Sequence, residues 1–271
     1  MALERELEVA LQAAQLAGRH IMKEYAAFVP IPNAPAEIST EVDRTSQELI
    51  LRHLHDAFPT DALCAEEATP TLESAPHTGR RTWVVDPIDG TRGFAMKNGE
   101  FSVMIGLLIA GEIAVGVVLE PALDRVTYAQ QGGGCWLREK EGEPQRCQVT
   151  KTTELPRATL VQSHSKPGRR SEVDRALETA KVVETYSAGV KLALVARGEV
   201  DLYVNTYGRF ADWDICAGHL LVEEAGGTVT ELRGGAVHYG QPGFSQRGGL
   251  FASNGVLHAS AMTRLKAIRW H

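Results

Sequence analysis

The run Asp86-Pro87-Ile88-Asp89-Gly90-Thr91 packs two carboxylates, a backbone carbonyl and a glycine turn into six residues. It follows Thr82-Trp83-Val84-Val85, a short apolar stretch that reads as a buried strand. Two acids at the carboxyl end of one strand repel each other unless cations sit between them. Pro87 removes a backbone donor, and Gly90 opens the turn to unusual dihedrals. The run therefore predicts a site for divalent metal and phosphate. Taken alone it would also serve as a surface turn, since Pro, Asp and Gly all form turns.

Other acids decide between these readings. Glu66-Glu67 follows the apolar run Ala62-Leu63-Cys64-Ala65, which brings the pair to the edge of a core. Asp43 stands at the start of a helix, where an acid is ordinarily a cap or a dipole partner. Asp214 follows Trp213 and precedes Ile215, Cys216, Ala217, Leu220 and Leu221, so it too stands at a helix start. Each is unremarkable singly. Together Asp43, Glu66, Asp86, Asp89 and Asp214 make the oxygen-only donor set that Mg²⁺ takes. Histidine and cysteine show no zinc-type spacing, and no serine or cysteine nucleophile motif is present.

The elements that must position these acids follow from the patterning. Leu3, Leu7, Leu11, Ala14, Ala17, Ile21 and Tyr25 recur at helical spacing and predict a helix over 2–26. Pro30, Pro32 and Pro35 impose a loop, and a second helix is predicted over 42–58, ended by Pro59. Residues 70–81 read as a surface loop. Strands are predicted at 101–110, 113–119 and 126–129, with Gly132-Gly133-Gly134 as a hairpin turn. The second half alternates: strands at 160–162, 200–204, 228–232 and 249–252, with helices at 171–180, 190–196, 213–225 and 256–268.

With 271 residues, 44% of them hydrophobic, the chain reads as one unit of two closely packed lobes, 1–150 and 151–271, joined near the polar stretch 140–157. A net charge of −6 gives no support for a surface that binds nucleic-acid polymers. Four scattered cysteines, no signal-peptide pattern and no membrane-length apolar run lead to the expectation of a soluble, cytoplasmic protein that makes no membrane contact.

The motifs resemble those of the inositol monophosphatase superfamily. Ala65-Glu66-Glu67 is similar to its first acidic motif and Trp83-Val84-Val85-Asp86-Pro87-Ile88-Asp89-Gly90-Thr91 to its central one. Trp213-Asp214-Ile215-Cys216-Ala217-Gly218, with Glu224-Ala225-Gly226-Gly227, resembles the third. The resemblance runs from the first helix to Ala252-Ser253-Asn254-Gly255. It implies an α+β fold of the sugar-phosphatase type, layered αβαβα with mixed and antiparallel sheets. It also implies a homodimer, lithium sensitivity and two or three Mg²⁺ ions. One ion would be held by Glu66, Asp86 and the Ile88 carbonyl, a second by Asp86, Asp89 and Asp214, and the third near Glu66-Glu67. Thr91, with Asp43 or Glu66, would position and deprotonate the attacking water. The phosphate would meet the Gly90 and Thr91 amides, with Asp89 and Asp214 also at the substrate. A non-catalytic regulator would be expected to lack one of these acids or Thr91, and none is missing.

Substrate choice is expected in the second lobe. Lys97-Asn98-Gly99-Glu100-Phe101 and Tyr207-Gly208 resemble the bacterial 3′(2′),5′-bisphosphate nucleotidases, whereas inositol monophosphatases usually carry glutamate at the position of Tyr207. Lys191 matches the nucleotidases' lysine that helps hold the second phosphate; a solvated helix lysine is its alternative reading. Ser187-Ala188 looks more like the inositol phosphatases. His164 stands where it could reach a nucleotide, although a lone loop histidine is as readily incidental. The favoured activity is removal of the 3′-phosphate of adenosine 3′,5′-bisphosphate, with inositol monophosphatase next, and histidinol-phosphate or sugar-bisphosphate phosphatase behind it.

Overall fold

Helices α1 (Glu4–Ala27) and α2 (Glu41–Ala57) form where apolar residues recur at helical spacing. The structure, a computed structural model, describes residues 3–165, 168–208, 210–266 and 268. The expected first residue of α1, Ala2, lies outside that set. The apolar stripe of α1 is rich in alanine (Ala10, Ala13, Ala14, Ala17), which lets the helix lie close on a sheet. A capping box of Thr40 and Asp43 starts α2.

The chain then runs through β1 (Ala62–Ala65), α3 (Pro70–Ser74), β2 (Arg81–Asp89), α4 (Thr91–Ala95), β3 (Ser102–Ile109), β4 (Glu112–Glu120), β5 (Arg125–Gln130), β6 (Gly134–Glu139) and β7 (Gln145–Arg146). These seven strands form one sheet in sequence order, with β1 and β2 parallel and every other pair antiparallel. The second half contributes β8 (Thr159–Gln162), α5 (Glu172–Leu177), β9 (Lys181–Glu184), α6 (Ala188–Ala196), β10 (Leu202–Asn205), β11 (Phe210–Ala211), α7 (Cys216–Glu224), β12 (Thr228–Thr230), β13 (Ser245–Gln246), β14 (Leu250–Ser253) and α8 (His258–Leu265). Five of these strands make a mixed sheet in the order β12-β14-β10-β8-β9, and β11 and β13 form a small ribbon.

Three apolar clusters define the layers. Ile21 and Ile50 pack on Trp83, Val85, Ile105 and Val117 of the first sheet. Its other face (Val84, Met104, Val118) meets Leu192 of α6 and Cys216 and Leu221 of α7, which also reach Ala252 of the second sheet. Leu177 of α5 and Leu265 of α8 cover the far side of that sheet at Leu160 and Phe251. The order is helices, sheet, helices, sheet, helices, as expected for a layered α+β fold with mixed and antiparallel sheets. Because β2, β3 and β4 are covered on both faces, they read as continuous apolar runs.

Several local expectations are corrected. The loop expected at 70–81 contains α3, started by Pro70 at a position where its missing donor costs nothing. Glu48 of α2 ties the same turn down, accepting from the Thr71 amide at 3.1 Å and its hydroxyl at 2.7 Å. The helix expected over 213–225 is divided: Asp212–Asp214 form a 3₁₀ turn, Ile215 leaves helical geometry at φ −136°, and α7 begins at Cys216. The closing helix is shorter than 256–268, and residue 267 lies outside the described set. Strands β7, β9, β11 and β13 carried no alternating pattern long enough to announce them.

Candidate active site

Asp86 and Asp89 are three residues apart, so in a regular strand they would point to opposite faces. The pairing of β2 with β3 prevents this. Asp86 lies opposite Met104 and Asp89 opposite Ser102, so three steps on β2 match two on β3. Pro87 and Ile88 occupy that irregularity, where a missing amide donor breaks no ladder. Both carboxylates then converge, and with Asp214 they offer oxygens that all lie within 4.8 Å of one another. Asp86 and Asp89 are buried.

Each acid is held by the backbone around it. Asp86 Oδ1 accepts from the Ile88 amide at 3.0 Å. Asp214 Oδ2 accepts from the Ala211 amide at 2.5 Å, a bond made possible by the 3₁₀ turn that separates it from α7. Asp89 Oδ2 is bound by the start of α6: the Ser187 hydroxyl and the Gly189 amide (2.6 Å) both donate to it. Ser187 also caps α6, accepting from the Val190 amide at 2.9 Å, and its hydroxyl lies 2.9 Å from that of Ser102. Ser187 is therefore spent on orienting Asp89, whose Oδ1 is left for the cleft.

Gly90 turns the chain from β2 into α4 at φ 86°; a Cβ there would stand 2.7 Å from the Glu100 carbonyl oxygen. The next residue, Thr91, has its hydroxyl 2.8 Å from Asp43 Oδ1 and 2.9 Å from the Ile88 carbonyl. Its single proton serves one acceptor at a time, which leaves oxygen lone pairs open to a water. Asp43 is fully buried, and its other oxygen accepts from the Thr40 amide (2.9 Å) and hydroxyl (2.6 Å). The capping acid of α2 is thus also the tether of Thr91.

Glu66 faces the same cleft but stands outside the tight group of three. Its loop is set by Gln47, a buried α2 side chain that accepts from the Glu67 amide at 2.8 Å and donates to the Glu67 carbonyl at 2.5 Å. Desolvation of the carboxyl, then the like charges of Asp214, Glu67, Asp43 and Asp89, push Glu66 up to about 8. Burial, with Asp89 and Asp212 nearby, raises Asp214 to about 7. Asp86 is raised strongly by burial and then by Glu66, Asp89 and Asp214. In Asp89 burial outweighs the lowering by Ser187, Gly189 and Lys191. The ion pairs of the described residues lie elsewhere, so these acids face one another without a paired cation. Converging carboxylates with spare oxygens and no ion-pair partner, Asp86 and Asp89 buried, Asp214 half-buried and Glu66 open to the cleft, fit a hard divalent cation.

These groups line a cleft of about 700 Å³ shared with Gly90, Arg92, His164, Tyr186, Lys191, Tyr207 and Trp213. Lys191 corrects the solvated-helix reading: it is 1% exposed, and its ammonium donates to the Tyr186 carbonyl at 2.8 Å. Burial lowers it to about 8 against the attraction of Asp89 and Glu100. His164 is built into the cleft as well, 2.6 Å from Glu100 Oε2 and with its ring tilted 38° against Tyr186 at 4.3 Å between centroids. Arg92 lies over the same Tyr186 ring at 5.0 Å, and its buried Nε has no hydrogen-bond partner among the described residues. Sequence reasoning missed Gln47, Ser102, Arg92 and Tyr186. For Ser187 it missed the bond to Asp89, although a serine just before a helical run signals a cap.

Residues 2–269 match the inositol monophosphatase family. A histidinol-phosphatase of Mycobacterium tuberculosis is 34% identical over 84% of this chain and 84% of its own. The 3′(2′),5′-bisphosphate nucleotidase CysQ of Salmonella typhimurium is 33% identical over 86% of this chain and 93% of its own. A solved IMPase of Thermotoga maritima superposes with a TM-score of 0.81 at 28% identity, covering 97% of both chains. With its acids converging at the bulged end of β2 in a five-layered fold, and matched from residue 2 to residue 269, the chain belongs to the inositol monophosphatase family of phosphatases.

Proposed function

We propose that this phosphatase is a Mg²⁺-dependent phosphomonoesterase that hydrolyses a nucleoside 3′,5′-bisphosphate at its 3′-phosphate. The observation that carries the chemistry is the convergence of Asp86 and Asp89, buried, and Asp214, half-buried, with no ion-pair partner among the described residues, beside the Thr91–Asp43 pair. Asp86, Asp89, Asp214, Glu66 and the Ile88 carbonyl would hold two or three ions. Bound divalent ions supply charge neutralisation of the phosphoryl oxygens and a more acidic water. The residues do the rest. Thr91 accepts a hydrogen bond from the water and, backed by Asp43 Oδ1, sets its direction. The water's proton would pass to the Thr91–Asp43 pair or to Glu66, which is open to the cleft. The first amides of α4, Gly90 and Thr91, lie where helix donors have no internal partner and can take phosphoryl oxygens.

The nucleotide reading is supported by the far side of the cleft. Tyr186 with Arg92 across its face, Tyr207, Phe210 and Trp213 offer aromatic surface suited to a base. Arg92 and Lys191 supply positive charge for a second phosphate. A second reading rests on Glu100 and Glu184, which flank His164 at 2.6 and 3.6 Å and give part of the rim a negative character. A cationic leaving group such as histidinol would suit them. The test compares kcat/KM with Mg²⁺ for adenosine 3′,5′-bisphosphate, histidinol phosphate and inositol 1-phosphate. Preference for the nucleotide by tenfold or more is expected; preference for either of the others replaces the substrate and keeps the site.

A further inference from the structure

Two of the four cysteines are neighbours across strands. Trp136 pairs with Arg146 and Leu137 with Gln145 in the β6–β7 ladder. The next rung puts Cys135 opposite Cys147, and the Cys147 amide donates to the Cys135 carbonyl at 2.8 Å. Residues directly opposite on antiparallel strands project from the same face. Each thiol is the largest influence on the other, lowering the pKa of Cys147 and raising that of Cys135, and the Cys147 sulfur also lies 4.0 Å from the Gln145 carbonyl oxygen.

Two features beside the pair favour a reactive sulfur at Cys147. Arg197 binds Glu120 at 2.8 Å and Thr127 at 2.9 Å through Nη1, while its buried Nη2 has no hydrogen-bond partner among the described residues. Its charge favours the thiolate at both cysteines. Cys147, 6% exposed, also lines a cleft of about 390 Å³ with Arg146 and Lys151, a route by which a small reagent can approach it. Cys64 and Cys216 are packed in the interior, where burial pushes both thiols up.

We propose that Cys135 and Cys147 are a reversible oxidation site, a dithiol that hydrogen peroxide converts to a cross-strand disulfide. The Cys147 thiolate attacks a peroxide oxygen and the O–O bond breaks; the departing hydroxide leaves as water, and Cys147 becomes a sulfenic acid. The Cys135 sulfur then attacks the Cys147 sulfur, the S–O bond breaks, and the hydroxide released takes the Cys135 proton. Two thiols and one peroxide become one disulfide and two waters, the two electrons passing from sulfur to peroxide.

The bond closes because its end can move. Cα atoms of a hydrogen-bonded antiparallel pair lie roughly 5.5 Å apart, inside the range disulfides span. Their Cβ atoms stand somewhat further apart than the ~3.8 Å a relaxed disulfide has. β7 is a two-residue, exposed edge strand and can shift to meet β6. A bond made under that tension is readily reopened by thiols, hence a reversible site.

The test maps the bond directly. Trypsin cuts after Arg125, Arg138, Arg146 and Lys151, so the two cysteines fall on different peptides. Protein treated with a small excess of hydrogen peroxide, then alkylated under denaturing conditions, is digested without reduction. The expected product is the 126–138 peptide joined to the 147–151 peptide, with Cys64 and Cys216 alkylated. Reduced glutathione at millimolar concentration returns both free thiols. In Cys135→Ser, peroxide is expected to leave a sulfenic acid at Cys147 that a dione reagent traps. Peptides that stay separate, Cys147 oxidised beyond sulfenic acid with Cys135 intact, a different cysteine pair, or a bond that resists glutathione would each overturn the proposal. The mapping uses the unaltered chain, so it holds even if the variant fails to fold.

Discussion

Asp89 shows how one side chain serves two environments. One oxygen takes the Ser187 hydroxyl and the Gly189 amide, and the other remains for the cleft. Asp89→Asn keeps the shape, and its carbonyl can still accept from both donors. It removes one negative charge from a group with no paired cation. Its Mg²⁺-dependent kcat/KM is expected to fall at least about a hundredfold, as ligand losses do. Its melting temperature without metal should be equal or higher, since repulsion with Asp86 and Asp214 is relieved. Phosphate release and thermal melts of the same preparation check both. Near-normal turnover in the folded variant would remove Asp89 from the ligand set.

At the scale of elements, the site is an agreement between helix starts and one strand irregularity. α2 lends Asp43 from its capping box, α6 lends Ser187 and Gly189, and the turn before α7 lends Asp214. Ser187→Ala removes a helix cap, which costs about 1 kcal/mol, and also a donor to Asp89. Stability should drop modestly, while the Mg²⁺ concentration for half-maximal activity rises by roughly ten- to a hundredfold. A metal titration of activity separates the two effects, because a loss of the cap alone would leave that midpoint in place. The division of the expected 213–225 helix belongs to this scale too. Ile215 at φ −136° lets Asp214 turn back to bond the Ala211 amide.

For the whole molecule, the two sheets communicate through α6 and α7. Gly116 on β4 lies so close to α7 that a Cβ would meet the Ala217 carbonyl oxygen at 2.5 Å. Gly116→Ala should cost about 1–3 kcal/mol by overpacking and weaken metal binding by displacing the start of α7 next to Asp214. Denaturant melts and the same Mg²⁺ titration read the two together; wild-type values for both would mean the layers yield there. The charge of the cluster also acts on the fold. Without metal, Glu66 rises from 4.5 to about 8 and Asp214 from 3.8 to about 7. The folded chain then keeps protons the unfolded chain releases, so this stability is full below the unfolded values and is lost as pH rises through the folded ones. With a chelator present, the melting temperature is expected to fall between about pH 5 and pH 8. Added Mg²⁺ should raise it more at pH 8 than at pH 5, and a melting temperature that rises over that window would contradict the shifts.

The acids, their order along the chain and most of the elements were legible in the residues, because carboxylates in apolar surroundings and helical or strand periods are local signals; the layered α+β fold followed from the family resemblance those motifs carry. Asp86, Asp89 and Asp214 could be named as partners before their positions in space were known. Tertiary structure decided how they meet. The bulge that brings Asp86 and Asp89 to one side is a mismatch between β2 and β3, visible only when the strands are paired. The burial of Lys191, the spending of Ser187 on Asp89 and the place of Gln47 beneath Glu67 depend on which helix end lies against which loop. Local sequence sets a residue's chemistry and its element's period, but the partner of a buried polar group is chosen by packing between segments far apart in the chain.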